Sequence, residues 1–156
     1  MIRIDIPGFG VLTIEHLVMD YNGTLAVDGI MIPGVAKAIE RLSNDLHIHI
    51  ITADTFGKVS KEVEGLPVTL KILPSSGQAE AKSAYVRSLG SAHSVCIGNG
   101  RNDRLMLKEA ALGIATIQNE AAARITIQHA DVIVNHILDA LNILIHPLRL
   151  VASLRD

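Results

Sequence analysis

Apolar and polar residues along this chain follow two rhythms, and each change of rhythm marks an element. "IRIDI" (2–6) and "GVLTI" (10–14) flank "PGFG" and read as a hairpin. "HLVMD" (16–20) is an apolar run that ends on a carboxylate, Asp20. Pro33 stands where a helix begins, and "GVAKAIERLSN" (34–44) has helical spacing through Val35, Ile39 and Leu42. "LHIHIIT" (46–52) reads as a strand ending at Thr52. A short helix from about Thr55 to Val63 and the strand "VTLKIL" (68–73) follow. "SSGQAEAKSAYVRSLG" (75–90) is a helix expected to have a Ser cap at one end and Gly90 at the other. "SVCIG" (94–98) is a buried strand that runs into the Gly-flanked loop "GNGRND". The helix "DRLMLKEAA", the strand "LGIATI", another short helix, the strand "DVIV" and a C-terminal helix from about Asn135 complete the chain.

Strands alternate with helices almost throughout. The expectation is an α/β fold: a three-layer, Rossmann-like parallel sheet with helices on both faces and a small N-terminal β-hairpin. It forms one domain over residues 1–156, with no linker, repeat or cap domain. In such sheets the ligand sits outside the C-terminal strand ends. Asp20, Thr52 and the "GNGRND" loop all fall at those ends, so they are expected to converge although they are far apart in sequence.

Composition narrows the classes. The chain has 156 residues, 49% of them hydrophobic, enough to bury a core as one unit. A formal net charge of -2, with two Phe and two Tyr, gives neither the basic face nor the aromatic ladder of a nucleic-acid binder. The single cysteine, Cys96, reads as a small buried strand residue and fits a reducing compartment. "MIRIDIPGFG" lacks the basic start and apolar stretch of a signal peptide, and the C-terminal apolar region is too polar for a membrane span. The expected protein is soluble and cytoplasmic, with no nucleic-acid or membrane partner.

The chemistry-bearing residues form four motifs in order. "DYNGTL" begins at Asp20, and "IITADT" contains Thr52. Lys82 lies in "EAKSAYVRSLG", and "IGNGRND" contains Asn99 and Asp103. Together, over roughly residues 14 to 135, they resemble the motifs of the haloacid dehalogenase-type phosphohydrolases, whose first motif is commonly DxDGTL or DxDGTV and whose fourth is commonly GDGxND. The resemblance implies an aspartyl-phosphate formed on Asp20, with Thr52 and Lys82 contacting the phosphoryl group and backbone N–H groups around Gly23 and Ala53 completing its cradle. It implies a Mg²⁺ ion held by Asp20, the main-chain carbonyl of Asn22, Asn99 and Asp103. The partner it implies is a small phosphorylated substrate.

Two positions depart from the family pattern. Asn22 stands where phosphatases of the family place a general acid–base carboxylate, and Asn99 stands where they place a metal-binding Asp. P-type ATPases lack the first of these acids too, and "TAD" (52–54) resembles their TGD. The soluble P-type-ATPase-like branch is thus the closer match. An amide at Asn22 cannot shuttle a proton, a service typically worth roughly a hundred- to ten-thousand-fold. The expectation is a slow phosphohydrolase that favours good leaving groups. The alternative is an impaired member that binds phosphate or a partner, or one that holds its phosphoryl group in a regulatory role.

Simpler roles compete for several of these residues. Asp54 reads equally as a helix cap. Lys58 and Lys71 rival Lys82, which leads on spacing. Asn99 and Asp103 could form a loop and helix cap around Asn102. His47 and His49 alternate on one strand and suit packing against helices or a subunit contact more than a metal, as no third ligand is evident. The stripe Ile137, Leu138, Leu141, Leu144 and Ile145 could seal a homo-oligomer interface (dimer or tetramer) or cover the sheet of its own subunit.

Overall fold

The structure is a computed structural model that describes residues 1–53 and 58–156. β1 (Ile2–Ile6) and β2 (Gly10–Ile14) pair antiparallel, with Ile2 opposite Ile14. Ile4, Ile6, Leu12 and Ile14 are buried, so the hairpin lays one pleated face on the core. β3 (His16–Asp20) enters the main sheet. β4 (Ala26–Val27) and β5 (Ile30–Met31) then form a miniature hairpin turned by Asp28 and Gly29, both at positive φ (52° and 79°). Strands of two residues carry no periodicity, which is why this stretch reads from sequence as a turn.

α1 (Val35–Leu42), β6 (His47–Thr52), α2 (Lys58–Glu62), β7 (Thr69–Ile72), α3 (Gln78–Leu89) and β8 (Ser94–Gly98) follow. After them come α4 (Arg104–Glu109), β9 (Leu112–Thr116), α5 (Arg124–Gln128), β10 (Val132–Val134), α6 (Ile137–Ile145) and α7 (Pro147–Leu154). The first part of the helix expected over 55–63 lies outside the described residues.

The six-stranded sheet has the order β10-β9-β8-β3-β6-β7, and every neighbouring pair is parallel. The chain moves outward from β3 to β6 and β7, returns to β8 on the other side of β3, and moves outward again. Its direction therefore reverses between β3 and β8, and the loops after these two strands flank the crevice where α/β sheets place their ligands. The three-layer parallel architecture and the N-terminal hairpin expected from the pattern are both present.

Alternating strand residues feed two cores. Leu17 and Met19 of β3 pack with α1, α2, α6, α7 and the hairpin, whereas Val18 packs with Val86 of α3 and with Met106 and Leu107 of α4. Asp20 has the parity of Val18, so it emerges on the α3 side of the sheet.

Two local expectations need correction. The helix at 75–90 is not capped by a serine side chain. Gly77, at φ 64°, precedes Gln78, and no side-chain cap bond is made. The C-terminal helix is two helices, α6 and α7, which meet at 103°. Pro147 begins α7; lacking an N–H and fixing its φ, it suits a helix start and cannot continue α6. Among the described residues no single helix is long and apolar enough to cross a membrane. The α6 stripe lies on the chain's own core: Ile137, Leu141 and Leu144 are buried, and Leu138 and Ile145 pack against them.

Candidate active site

Lys82 is fully buried at the second turn of α3. Its Nζ donates to Asp20 Oδ1 and to Asp103 Oδ1, each at 2.6 Å. α3 buries Ala79 and Val86, with Val86 packing among Val18, Ile51 and Cys96 of the sheet, and the parity of Asp20 turns its carboxylate to meet the ammonium. Lys58 and Lys71 are exposed on α2 and β7. The second oxygen of Asp103, Oδ2, accepts from the backbone N–H groups of Asn99 (3.0 Å) and Gly100 (2.8 Å). Gly98 leaves room for this carboxylate, since a Cβ there would lie 2.5 Å from Asp103 Cγ. Asp103 thus shapes the loop after β8 with one oxygen and binds Lys82 with the other.

Two carboxylates share one ammonium, which leaves one negative charge in a buried place. Burial and the neighbouring Asp103 carboxylate push the Asp20 carboxyl up, to about 7, against the pull of Lys82. Burial opposes the charge on Lys82, but the two carboxylates outweigh it and hold the ammonium above the ordinary lysine range.

The turn after Asp20 is closed by its own backbone. Tyr21 O accepts from the N–H groups of Thr24, Leu25 and Ala26, and the Gly23 N–H donates to Ala26 O at 2.9 Å. The Gly23 N–H is therefore engaged inside the turn. Gly23 has φ 78° and packs directly on the Asn99 amide, so neither the backbone nor the space suits a side chain. Asn22 is exposed at the turn, while Thr24 is buried and its hydroxyl donates to Asn99 Oδ1 (3.2 Å). Asn99 Nδ2 donates to Ala121 O (2.9 Å), a bond that no carboxylate could make. At the tip of β6, Thr52 is buried and its carbonyl accepts from Leu73 N–H. Ala53 is half-buried, and Asp54 lies outside the described residues. Asn102 serves as a link, with its Nδ2 donating to Gln78 Oε1 (2.6 Å).

Sequence reasoning missed the segment after β9. Gln118 bonds the carbonyls of Gly23 and Thr24, and Glu120 accepts from the Asp28 N–H. The available signal was positional, since Gln118 also stands just beyond a strand tip.

At the opposite end of the sheet His16 Nδ1 lies 3.0 Å from His49 Nε2, and His49 Nδ1 lies 3.0 Å from Tyr85 Oη on α3. His49 is packed against a helix, and the ring of His47 tilts beside His16. Among the described residues no group of three or more His, Cys, Asp or Glu is placed to hold a metal ion. Any cation at Asp20 and Asp103 would draw its remaining ligands from amide and main-chain oxygens, water and substrate. That all-oxygen donor set fits Mg²⁺, which keeps several waters.

No family model matches the chain. An uncharacterized protein of Methanocaldococcus jannaschii is 48% identical over 62 residues, covering 40% of this chain and 67% of that protein. Among solved structures, the 3-deoxy-D-manno-octulosonate 8-phosphate phosphatase of Moraxella catarrhalis, in complex with magnesium, phosphate and its sugar acid, superposes with a TM-score of 0.71. The identity is 17%, and 85% of this chain and 86% of that one are covered. The cobalt-bound phosphatase of the same name from Haemophilus influenzae gives a TM-score of 0.72 at 12% identity, covering 86% and 88%. A protein of Legionella pneumophila assigned to the haloacid dehalogenase superfamily, subfamily III A, gives 0.65 at 18% identity, covering 90% and 88%. The fold is that of the haloacid dehalogenase-type hydrolases, built without a cap domain.

Proposed function

We propose that the chain is a Mg²⁺-dependent phosphohydrolase that works through an aspartyl-phosphate on Asp20. The observation that carries this reading is the Lys82 ammonium, 2.6 Å from the carboxylates of both Asp20 and Asp103, in the switch-point crevice of the sheet. It puts a nucleophilic oxygen and a fixed positive charge side by side, the two things phosphoryl transfer demands of a protein. The phosphatases of like fold solved with magnesium or cobalt support the class of reaction and of metal.

An Asp20 oxygen attacks phosphorus, an O–P bond forms, and the bond from phosphorus to the leaving-group oxygen breaks. Lys82 gives up part of its hold on Asp20 to the incoming phosphoryl oxygens, while Thr52 donates its hydroxyl to them. Mg²⁺, held by Asp20, Asp103, the Asn99 amide oxygen and the Asn22 carbonyl, would supply further charge neutralisation on the phosphoryl oxygens. The Asn22 amide can hydrogen-bond but has no acidic proton to transfer, so the leaving group departs as an anion. Nor can Asn22 take a proton from the water that later attacks the aspartyl-phosphate. Acyl phosphates, phosphoanhydrides and aryl phosphates are therefore favoured over alkyl phosphates, and the phospho-enzyme is long-lived. A slow second step is the behaviour that likens the site to the P-type-ATPase branch.

A second reading has its own support. Asp103 Oδ2 is committed to two backbone N–H groups and Asn99 to Ala121 and Thr24, which suits a site that binds phosphate more than one that turns it over. Incubation with Mg²⁺ and acetyl phosphate, followed by intact mass, separates the two. The expected result is a single phosphoryl adduct, absent in Asp20→Asn and lost faster in Asn22→Asp. An unmodified wild-type protein that releases no phosphate would leave the binding role in its place.

A further inference from the structure

Gln118 spends every polar atom of its carboxamide on three separate backbone groups. Its Nε2 donates to Gly23 O (3.0 Å) and Thr24 O (2.6 Å), and its Oε1 accepts from the Ile137 N–H (2.9 Å). These partners fix the orientation of the amide, because two carbonyls can face only the NH₂ and an N–H can face only the oxygen. Ile137 is the first residue of α6, where a backbone N–H has no partner within the helix. α6 is itself anchored, since Ile137, Ala140, Leu141 and Leu144 are all buried. One side chain therefore ties the turn after Asp20 to a helix that cannot shift without opening the core.

No other side chain offers the same set. Glutamate would face two carbonyls with an acceptor, lysine has nothing for the Ile137 N–H to bond, and asparagine falls short by one methylene, about 1.5 Å. Around Gln118 the same segment makes two more ties, from Ala121 O to Asn99 and from Glu120 Oε1 to the Asp28 N–H (2.9 Å). The segment over 118–121 thus holds the nucleophile turn, the loop after β8 and the small hairpin.

We infer that Gln118 is a positioning residue for phosphoryl transfer: by clamping Gly23 and Thr24 to the start of α6 it fixes the backbone from which the Asp20 carboxylate and the Asn22 carbonyl project. This rests on the reading of Asp20 as the nucleophile. Gln118 acts through the turn, and a displacement of about 1 Å at a reacting group is enough to cost on the order of a hundredfold in rate.

The test uses the full chain, with Gln118→Glu, which keeps the acceptor for Ile137 and loses both donors, and Gln118→Met, which loses all three bonds without adding charge. Three quantities are read at pH 8: amide exchange of Gly23, Thr24 and Leu25 by NMR, the rate of adduct formation from acetyl phosphate with Mg²⁺, and the thermal midpoint. In both variants the three turn amides are expected to exchange about tenfold faster or more, while the amides of β3 and β8 keep their protection. Adduct formation slows on the order of a hundredfold, and the midpoint moves by a few degrees. In Gln118→Glu the excess of exchange over wild type shrinks as the pH is lowered far enough to protonate the introduced carboxyl, which then regains a donor. Turn exchange unchanged in both variants overturns the inference, as does a uniform rise in exchange across the whole protein with an unaltered adduct rate per folded molecule. No adduct in the wild type strikes instead at the reading of Asp20, and the exchange contrast then decides alone whether Gln118 clamps the turn.

Discussion

Lys82 Nζ on α3 is 2.6 Å from Asp20 Oδ1 at the tip of β3, across 62 positions of sequence, and both side chains are nearly sealed from solvent. The pair is the electrostatic centre of the crevice, and Asp103 completes it.

Removing the ammonium therefore leaves two carboxylates buried against each other. Lys82→Met is expected to destabilise the protein by about 3–5 kcal/mol at neutral pH, the scale for breaking a buried ion pair from one side. Urea unfolding measures it. A loss below about 1 kcal/mol, the range of surface pairs, would show that the crevice is far wetter than this packing implies.

Asn99→Asp exchanges a donor for a charge. The Ala121 carbonyl loses its bond, and a third carboxylate joins Asp20 and Asp103. Without metal the variant should lose about 1–3 kcal/mol of stability. Calorimetric titration should show tighter Mg²⁺ binding than wild type, as charge count tunes hard-cation sites. Weaker binding in the variant would rule out position 99 as a ligand.

The histidine pair makes stability depend on acid. Burial, with the His16 and His47 rings beside it, holds His49 down to about 4 from an ordinary 6.5, and burial with His47 lowers His16 as well. Glu15 opposes this at His16, His93 adds to it, and Tyr85 faces His49 from α3. Between pH 6.5 and 4 the unfolded chain binds more protons at His49 than the folded one. The stability this residue contributes is thus intact above pH 6.5 and lost as pH falls toward 4. Asp20, raised to about 7, works in the opposite sense over much of that range, so a comparison of variants is needed to isolate the histidine. The urea midpoint of wild type should fall more steeply from pH 7 to 4 than that of His49→Gln; parallel profiles would refute the assignment.

Thr116 ends β9 fully buried, and among the described residues its hydroxyl has no hydrogen-bond partner. Thr116→Val keeps the branched shape and removes the unsatisfied oxygen. A gain of about 1 kcal/mol in thermal or urea unfolding is expected, and a loss would reveal a partner for that hydroxyl.

By itself the sequence determined the order of the six strands of the main sheet and of the helices up to the C-terminal one, with the strand tips at Asp20 and Thr52 and the loop after β8 that carries Asn99 and Asp103. Those features are local: a period of two or of 3.6 shows within ten residues, and a tip is simply where an apolar run stops. Which lysine reaches Asp20 was decided by the tertiary structure: Lys82 led on spacing alone, and only the packing of α3 beside β3 brings its ammonium to Asp20, while Lys58 on α2 and Lys71 on β7 stay exposed. The same holds for Asn99, an apparent loss when compared with a carboxylate, whose amide turns out to hold Ala121. Gln118 has no motif at all: its three partners come from two other regions of the chain, and only folding brings them within reach of one side chain. His16 likewise meets His49 only because β3 and β6 pair in parallel. Periodicity is written along the chain, whereas a hydrogen bond across 19 to 95 positions depends on where the sheet returns it.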